Sequence, residues 1–412
     1  MNWRKFFGPA ASGVTRREAF GAGILATLLG RTAATAAPSR YAADNIYSRL
    51  LGVKPLLTCR GHTTAFGGSL MPTEVLRAMA EANDYFVDMD ELNIAAGKRI
   101  AEVMGAEAAM VSAGSFSAML LGAAACLTGT DQNKMAALPH PDWPRRECLI
   151  PKGHRVLYDR AYKAAGMTII EVDGLDQLRN AIGEKTAMLA GLGSTDRSNP
   201  KGAVTVKQLV EVGRQARVPV LIDAASELPP VSSLRHYVAT GADLVVISGG
   251  KGLLGPQSTG ILAGRRELVE AARLNHSPYA HIGRGMKVGK EEIVGLVAAV
   301  NRYASLDHDM VHETWNKKAR WMAEQLQDIK GVTAVYRINA YGFGEVRITW
   351  DRKVIPLTGH QAFEKLMAGE PRVLFYQDEE GGTFQTRSMK DGDEILAARR
   401  LRQFFVHEAP RG

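Results

Sequence analysis

Lys251 and Asp223 each stand at the end of an apolar segment. Residues 244–247 lead through Ser248, Gly249 and Gly250 into Lys251, and Gly252 and Gly255 follow in the same loop. Residues 218–222 form a second apolar run that ends in Asp223. If both runs are strands of one open α/β sheet, their carboxyl ends lie where such sheets bind ligands. An amine and a carboxylate on neighbouring strand ends suit pyridoxal 5'-phosphate, with the lysine as the Schiff-base residue and the aspartate on the ring nitrogen. A protonated ring nitrogen makes the cofactor an electron sink. A solvated loop lysine and a helix-capping aspartate are what either residue would be alone. The phosphate site expected nearby favours the paired reading.

That phosphate site is expected at residues 111–118, where Gly114 and Ser115 open a helix after a candidate strand. Small residues leave backbone N–H groups exposed there, and a helix amino end favours an anion. A serine in this position is also a common cap. His154 follows the next strand, and its flat ring is placed either to stack on the cofactor or to sit on the surface. Ser226 is either a donor near the cofactor's phenolic oxygen or a cap. Ser248 is either a phosphate ligand or a strand-end hydroxyl.

The elements needed to hold these residues are present. Candidate strands at 108–112, 148–151, 167–172, 186–190, 218–222, 244–248 and 260–263 alternate with helical stretches, which implies an α/β fold with a mostly parallel sheet. A continuous helix over 290–329 is expected to link this unit to a smaller α+β unit, with period-two segments at 332–337 and 345–350. Residues 129–146, with Pro139, Pro141 and Pro144, read as a long loop.

The chain has 412 residues, 46% of them hydrophobic and 23% charged, an ordinary balance for a globular protein. Net charge is +8. Arg4, Lys5, Arg16, Arg17 and Arg31 against Glu18 account for half of it within residues 1–36, so nothing in the remainder calls for nucleic acid. Cys59, Cys126 and Cys148 are odd in number and widely spaced, which indicates neither a disulfide framework nor a metal site. Residues 1–36 read as an export signal: Arg16-Arg17, an apolar run over 21–30, then a small-x-small site ending at Ala36. The arginine pair makes it twin-arginine in type, with the export machinery as partner and a periplasmic or secreted destination. The apolar run is too short for a membrane anchor.

Taken together, these residues resemble the selenocysteine-synthase-like branch of fold-type I pyridoxal-phosphate enzymes, especially members similar to D-glucosaminate-6-phosphate ammonia-lyase. The resemblance runs from Pro55 to the last helix. It rests on Arg60-Gly61 with residues 67–72, on 85–92, on Ser248-Gly249-Gly250-Lys251, on 282–293 and on Gly369-Glu370-Pro371. Gly250 departs from the commoner Gly-Asp-Lys form of the lysine motif. The resemblance implies a large cofactor-binding domain with an N-terminal arm (37–289), a linking helix and small C-terminal domain (290–412), and a homodimer or larger symmetric ring. It implies that Arg387 takes a substrate carboxylate, with Arg347 and Arg372 as rivals, and that Arg60, Arg284 and Lys287 contact an anionic substrate.

The implied reaction is Cα deprotonation and α,β-elimination of an amino acid or amino-sugar acid, with ammonia release. Aminotransferase and racemase chemistry, which share the first step, are the alternatives, and a non-catalytic binding protein on the same fold is the alternative of another class. An exported chain would meet neither aminoacyl-tRNA nor phosphorylated sugars in quantity, so transfer chemistry on tRNA is not expected.

Overall fold

Successive residues of the central strands point into two different cores, which explains why their sequences are apolar without alternation. Val245 and Ile247 pack into one core and Leu244 and Val246 into the other; Ile222 and Leu221 divide in the same way. The computed structural model describes Arg40, Tyr41, and residues 44–198 and 203–412. The expected export signal lies outside the described residues.

Thirteen strands are present among the described residues: β1 (Leu56–Thr58), β2 (Ala108–Ser112), β3 (Glu147–Pro151), β4 (Thr168–Val172), β5 (Thr186–Leu192), β6 (Val220–Asp223), β7 (Leu244–Ser248), β8 (Gly260–Gly264), β9 (Val332–Ile338), β10 (Gly344–Trp350), β11 (Arg372–Leu374), β12 (Tyr376–Gln377) and β13 (Gly381–Gln385). Seven form one sheet in the order β2-β8-β7-β6-β5-β3-β4. Strand β8 runs antiparallel to both its neighbours, and the other pairs are parallel. The carboxyl ends of β2, β3, β5, β6 and β7 therefore share one edge of the sheet.

The helix Gly114–Thr128 is buried along almost its whole length, as an apolar helix with no polar face must be. Helix Met89–Met104 covers the outer strand β2. Its buried Asn93 presents an amide to the strand: Nδ2 donates to the Val111 carbonyl at 2.9 Å, and Oδ1 accepts from the Val111 N–H at 3.0 Å. The side chain thus takes the place of a further strand at an edge that would otherwise leave its backbone groups unpaired.

A second sheet, β12-β13-β10-β9, is antiparallel. Its core includes Val346, Ile348, Phe375 and Phe384 from the C-terminal region, and also Leu57 and Cys59. Strand β1 pairs in parallel with β11, Leu56 opposite Arg372 and Thr58 opposite Leu374. The arm expected to accompany the large sheet is therefore built into the small one, because apolar Leu57 completes that core.

The continuous helix expected over 290–329 is two helices, Lys290–Ser305 and His308–Glu324. Leu306 is extended, and the Asp307 carboxylate caps the second helix by accepting from Met310 N–H at 3.0 Å. The loop expected over 129–146 contains a short helix, Gln132–Ala137, capped by Asp131. Among the described residues no helix is long and apolar enough to cross a membrane.

Candidate active site

The register of the large sheet brings the expected residues to one edge. Ser112 on β2 and Ser248 on β7 both lie opposite Gly260, the first residue of β8. Gly260 is tight against the start of the neighbouring helix: a Cβ there would lie 2.4 Å from the Gly114 carbonyl carbon, and Gly114 itself has φ +82°. The two glycines let a helix amino end approach the sheet edge closely. Ser112 Oγ donates to Gly114 O at 3.1 Å and Ser117 Oγ donates to Ala113 O at 2.8 Å. Half-buried Ser115 makes no side-chain hydrogen bond among the described residues, so its hydroxyl and the helix N–H groups are available to an anion.

Asp223 ends β6 and is buried, with one oxygen accepting from Ala225 N–H at 3.0 Å. Burial raises its pKa, against the opposing effects of that hydrogen bond and of Lys251. A buried carboxylate so lightly paired is suited to a cationic ligand atom. Lys251 lies three residues past β7, and its Nζ donates to Ser226 Oγ at 2.7 Å. Burial lowers the pKa of this amine; Asp223 opposes the shift and Arg387 adds to it. Ser248 is buried at the strand end.

His154 is buried rather than on the surface, and both ring nitrogens engage backbone groups. Nδ1 accepts from Leu192 N–H at 2.9 Å, so the proton of the neutral ring sits on Nε2, which lies 2.5 Å from the Val204 carbonyl. Burial, as the largest cause, lowers its pKa. With its edge fixed by the backbone, the ring offers its faces. It lines a small cavity of about 10 Å³ together with Asp223, Tyr162 and Met119.

A second group of polar side chains comes from the small sheet. Cys59 N–H donates to Leu374 O, and Gln385 N–H donates to Cys59 O, each at 2.7 Å. This lacing sets residues 60–62 beside residues 385–387. Arg387 lies over the rings of Tyr341 and Phe343, 5.5 and 5.3 Å from their centroids. Its Nε is buried without a hydrogen-bond partner, and among the described residues no carboxylate forms an ion pair with it. Burial lowers its pKa. The rival arginines are committed elsewhere. Arg347 makes a two-pronged ion pair with Asp378, at 2.5 and 2.9 Å, and Arg372 donates to the Met367 carbonyl at 3.1 Å. Arg60 stacks over Tyr376 at 4.8 Å, and its Nε is also buried and unpartnered. Arg284 and Lys287 are solvent-exposed, and no hydrogen bond or ion pair joins them to this cluster among the described residues.

Glu227, Arg197, Tyr341 and His62 carried no readable signal. Glu227 is buried and holds Arg197 in a bidentate pair, and it also accepts from Tyr237 OH at 3.3 Å. Arg197 in turn lies 4.0 Å over the Tyr341 ring whose other guanidinium neighbour is Arg387. These contacts join residues far apart in the chain, which no local pattern reveals. The fourth is His62, which follows the Arg60-Gly61 motif directly.

These residues fit pyridoxal phosphate: an amine whose charged form burial disfavours, a buried acid short of a counter-charge, a fixed flat ring and a helix amino end. Comparison with known proteins agrees. The class-V aminotransferase family model matches residues 163–341. The chain is 35% identical over 335 residues to a 5'-C-glycyluridine monooxygenase-decarboxylase of a Streptomyces species, covering 78% of this chain and 82% of the relative. It is 30% identical over 379 residues to the D-glucosaminate-6-phosphate ammonia lyase of Salmonella typhimurium, covering 89% and 99%. A solved structure of a D-glucosaminate-6-phosphate ammonia-lyase superposes with a TM-score of 0.75 at 26% identity, covering 88% of this chain and 98% of that one. The chain is thus a pyridoxal-phosphate-dependent enzyme and belongs to the selenocysteine-synthase-like family of fold type I.

Proposed function

We propose that this enzyme is a lyase that removes the Cα proton of an amino acid or amino-sugar acid and expels a β-substituent, releasing ammonia. The observation that carries this reading is the Arg387 guanidinium, half-buried with its Nε unpartnered and joined to no carboxylate among the described residues, whose charge acts on Lys251. An amino acid held by its carboxylate at Arg387 would be bound within electrostatic reach of the lysine. Pyridoxal phosphate, when bound, supplies an electron sink for charge developing at Cα.

The chain's own residues divide the remaining work. Lys251 would hold the cofactor through its Nζ and would accept the Cα proton of the substrate, a task that its lowered pKa favours. Asp223 would hold the proton on the ring nitrogen. His154 would support one face of the ring, and Ser226 would donate near the phenolic oxygen. Gly114, Ser115 and Ser248 would hold the phosphate. Arg60 gives the substrate a second cationic contact, with Arg284 and Lys287 as outer contacts in the assembled oligomer.

The test is a screen of β-hydroxy, β-thio and sugar-derived amino acids of both hands for keto-acid and ammonia. Keto-acid formed only when a second keto-acid is supplied would make the enzyme an aminotransferase, and inversion without ammonia would make it a racemase. A second reading, oxidative decarboxylation, is favoured by the 35% identity to a monooxygenase-decarboxylase. Oxygen uptake with carbon dioxide release in the same screen would decide for it.

Export through the twin-arginine machinery to the periplasm or beyond belongs to the same proposal, supported by Arg16-Arg17 and the short apolar run that follows. A symmetric homo-oligomer is supported by Phe86, which is fully exposed, and by Tyr85, Leu157 and Tyr158, which are largely so.

A further inference from the structure

His62 lies just beyond β1, between Gly61 and the turn at Thr64–Phe66. Both its ring nitrogens are buried, and neither has a hydrogen-bond partner. Elsewhere among the described residues, His281 and His312 each leave only one buried ring nitrogen unpartnered. His154 uses both nitrogens on the backbone, and His276 Nε2 lies 2.9 Å from the Met286 carbonyl. A buried ring without partners costs stability, so the position is built for something other than folding. The charged groups acting on it are Arg387, from the segment after β13, and Lys251, from the loop after β7. His62 is therefore within electrostatic reach of both the group assigned to the substrate carboxylate and the group assigned to the Cα proton, and it follows Gly61, whose Cα packs directly against the Arg387 guanidinium.

We infer that His62 is a catalytic residue of the elimination, binding the oxygen on the substrate's β-carbon and delivering a proton to it as the Cβ–O bond breaks. The inference rests on the lyase reading given above. In the step, the Cα–H bond breaks and its proton passes to Lys251. Its electron pair becomes the new Cα–Cβ bond, the Cβ–O pair leaves on oxygen, and the proton from His62 completes a water molecule. Hydrolysis of the unsaturated product consumes one water and gives keto-acid and ammonia, which balances the reaction.

The supply of that proton follows from the surroundings. Burial, then the charges of Arg387 and Lys251, hold the His62 pKa well down, so the ring is neutral in the free protein. A carboxylate on Arg387 offsets one of those charges, and the Lys251 amine, uncharged as the base of the first step, carries none until it takes the Cα proton. Substrate binding thus lets the ring take a proton from solvent just before the leaving group needs it.

The test compares the cofactor-loaded wild type with His62→Gln and His62→Asn on two substrates, a β-hydroxy amino acid and its β-chloro analogue, whose chloride departs without a proton. The expected result is a loss on the order of 100-fold or more for the hydroxyl substrate, with chloride elimination and Cα-proton exchange in D2O largely kept. Nitrogen-15 spectra of histidine-labelled wild type should show the resonance absent from His62→Gln changing from neutral to charged when a carboxylate substrate analogue binds. Equal losses on both substrates, undiminished loss of hydroxyl, or a ring that stays neutral with the analogue bound would each overturn the role. A wild type that eliminates neither group sinks the lyase reading and this role with it, and that failure is recognisable because it precedes any substitution.

Discussion

The Arg387 guanidinium occupies the space that a side chain on Gly61 would need: a Cβ at residue 61 would lie 2.6 Å from Nε and 2.7 Å from Nη2. Gly61 also has φ +79°, a conformation that other residues adopt only under strain. The glycine of the Arg60-Gly61 motif is therefore a seat for the arginine expected to grip the substrate. Gly61→Ala should displace Arg387 and raise KM about tenfold or more, as loss of one well-aligned charged contact does. Arg387→Ala should raise KM further, and steady-state kinetics on the same substrate measure both. Unchanged kinetics in Arg387→Ala would remove the carboxylate role from this residue.

Lys251 should give the purified enzyme its colour. Borohydride should fix the cofactor to this residue, and Lys251→Ala should bind cofactor without the absorbance of the lysine adduct. Because burial lowers the Lys251 pKa, capture of free cofactor by the apo-protein should reach half its maximal rate below the pH expected for an ordinary lysine. Stopped-flow absorbance against pH reads this directly.

Asp223 should separate stability from activity. Burial raises its pKa, so the folded chain binds this proton more tightly than the unfolded chain. Stability is therefore lost as pH rises from the ordinary carboxylate range through the raised value. Asp223→Asn removes that loss, so the apo-variant should melt at or above the wild-type temperature at pH 7. The loaded variant should lose about 100-fold or more in kcat, because an amide cannot hold the ring-nitrogen proton by charge. An apo-variant that melts well below wild type would contradict the assignment of Asp223 as a carboxylate waiting for a cation.

Breaking the Glu227–Arg197 pair should be costly. Their side chains are 3% and 20% exposed, and Arg197 bridges to Tyr341 beneath Arg387. Glu227→Gln leaves the guanidinium with no counter-charge, and urea unfolding should show a loss of about 3 kcal/mol. A double variant that also carries Arg197→Met should recover much of it.

Export is tested by Arg16→Lys with Arg17→Lys. The precursor should stay in the cytoplasm, as fractionation of expressing cells would show. Continued secretion would reject the twin-arginine assignment.

The large sheet was legible because its strands are buried on both faces, so apolar runs alone mark 244–248 and 218–222. Lys251 and Asp223 were legible for the same reason, since strand ends fix where they point. Leu56–Thr58 was not, because three residues carry no period and their partner strand begins at Arg372. The choice among Arg347, Arg372 and Arg387 was closed to sequence as well. What separates them is the company each keeps: Asp378 for the first, a backbone carbonyl for the second and no acid for the third. His62 shows the same limit, since a partnerless imidazole is recognised only by what fails to surround it.

The pairing of Leu56 with Arg372 also sets an order of events during synthesis. At ribosomal speeds, on the order of tens of seconds separate the emergence of the two strands. For that interval β1, which follows closely on the expected leader, is an open strand edge, and the third core has neither Leu57 nor its counterpart Val373 in place. The segment nearest the amino terminus thus reports whether the carboxyl-terminal domain has been made. A chain dispatched before that point would travel with its substrate-gripping half unbuilt.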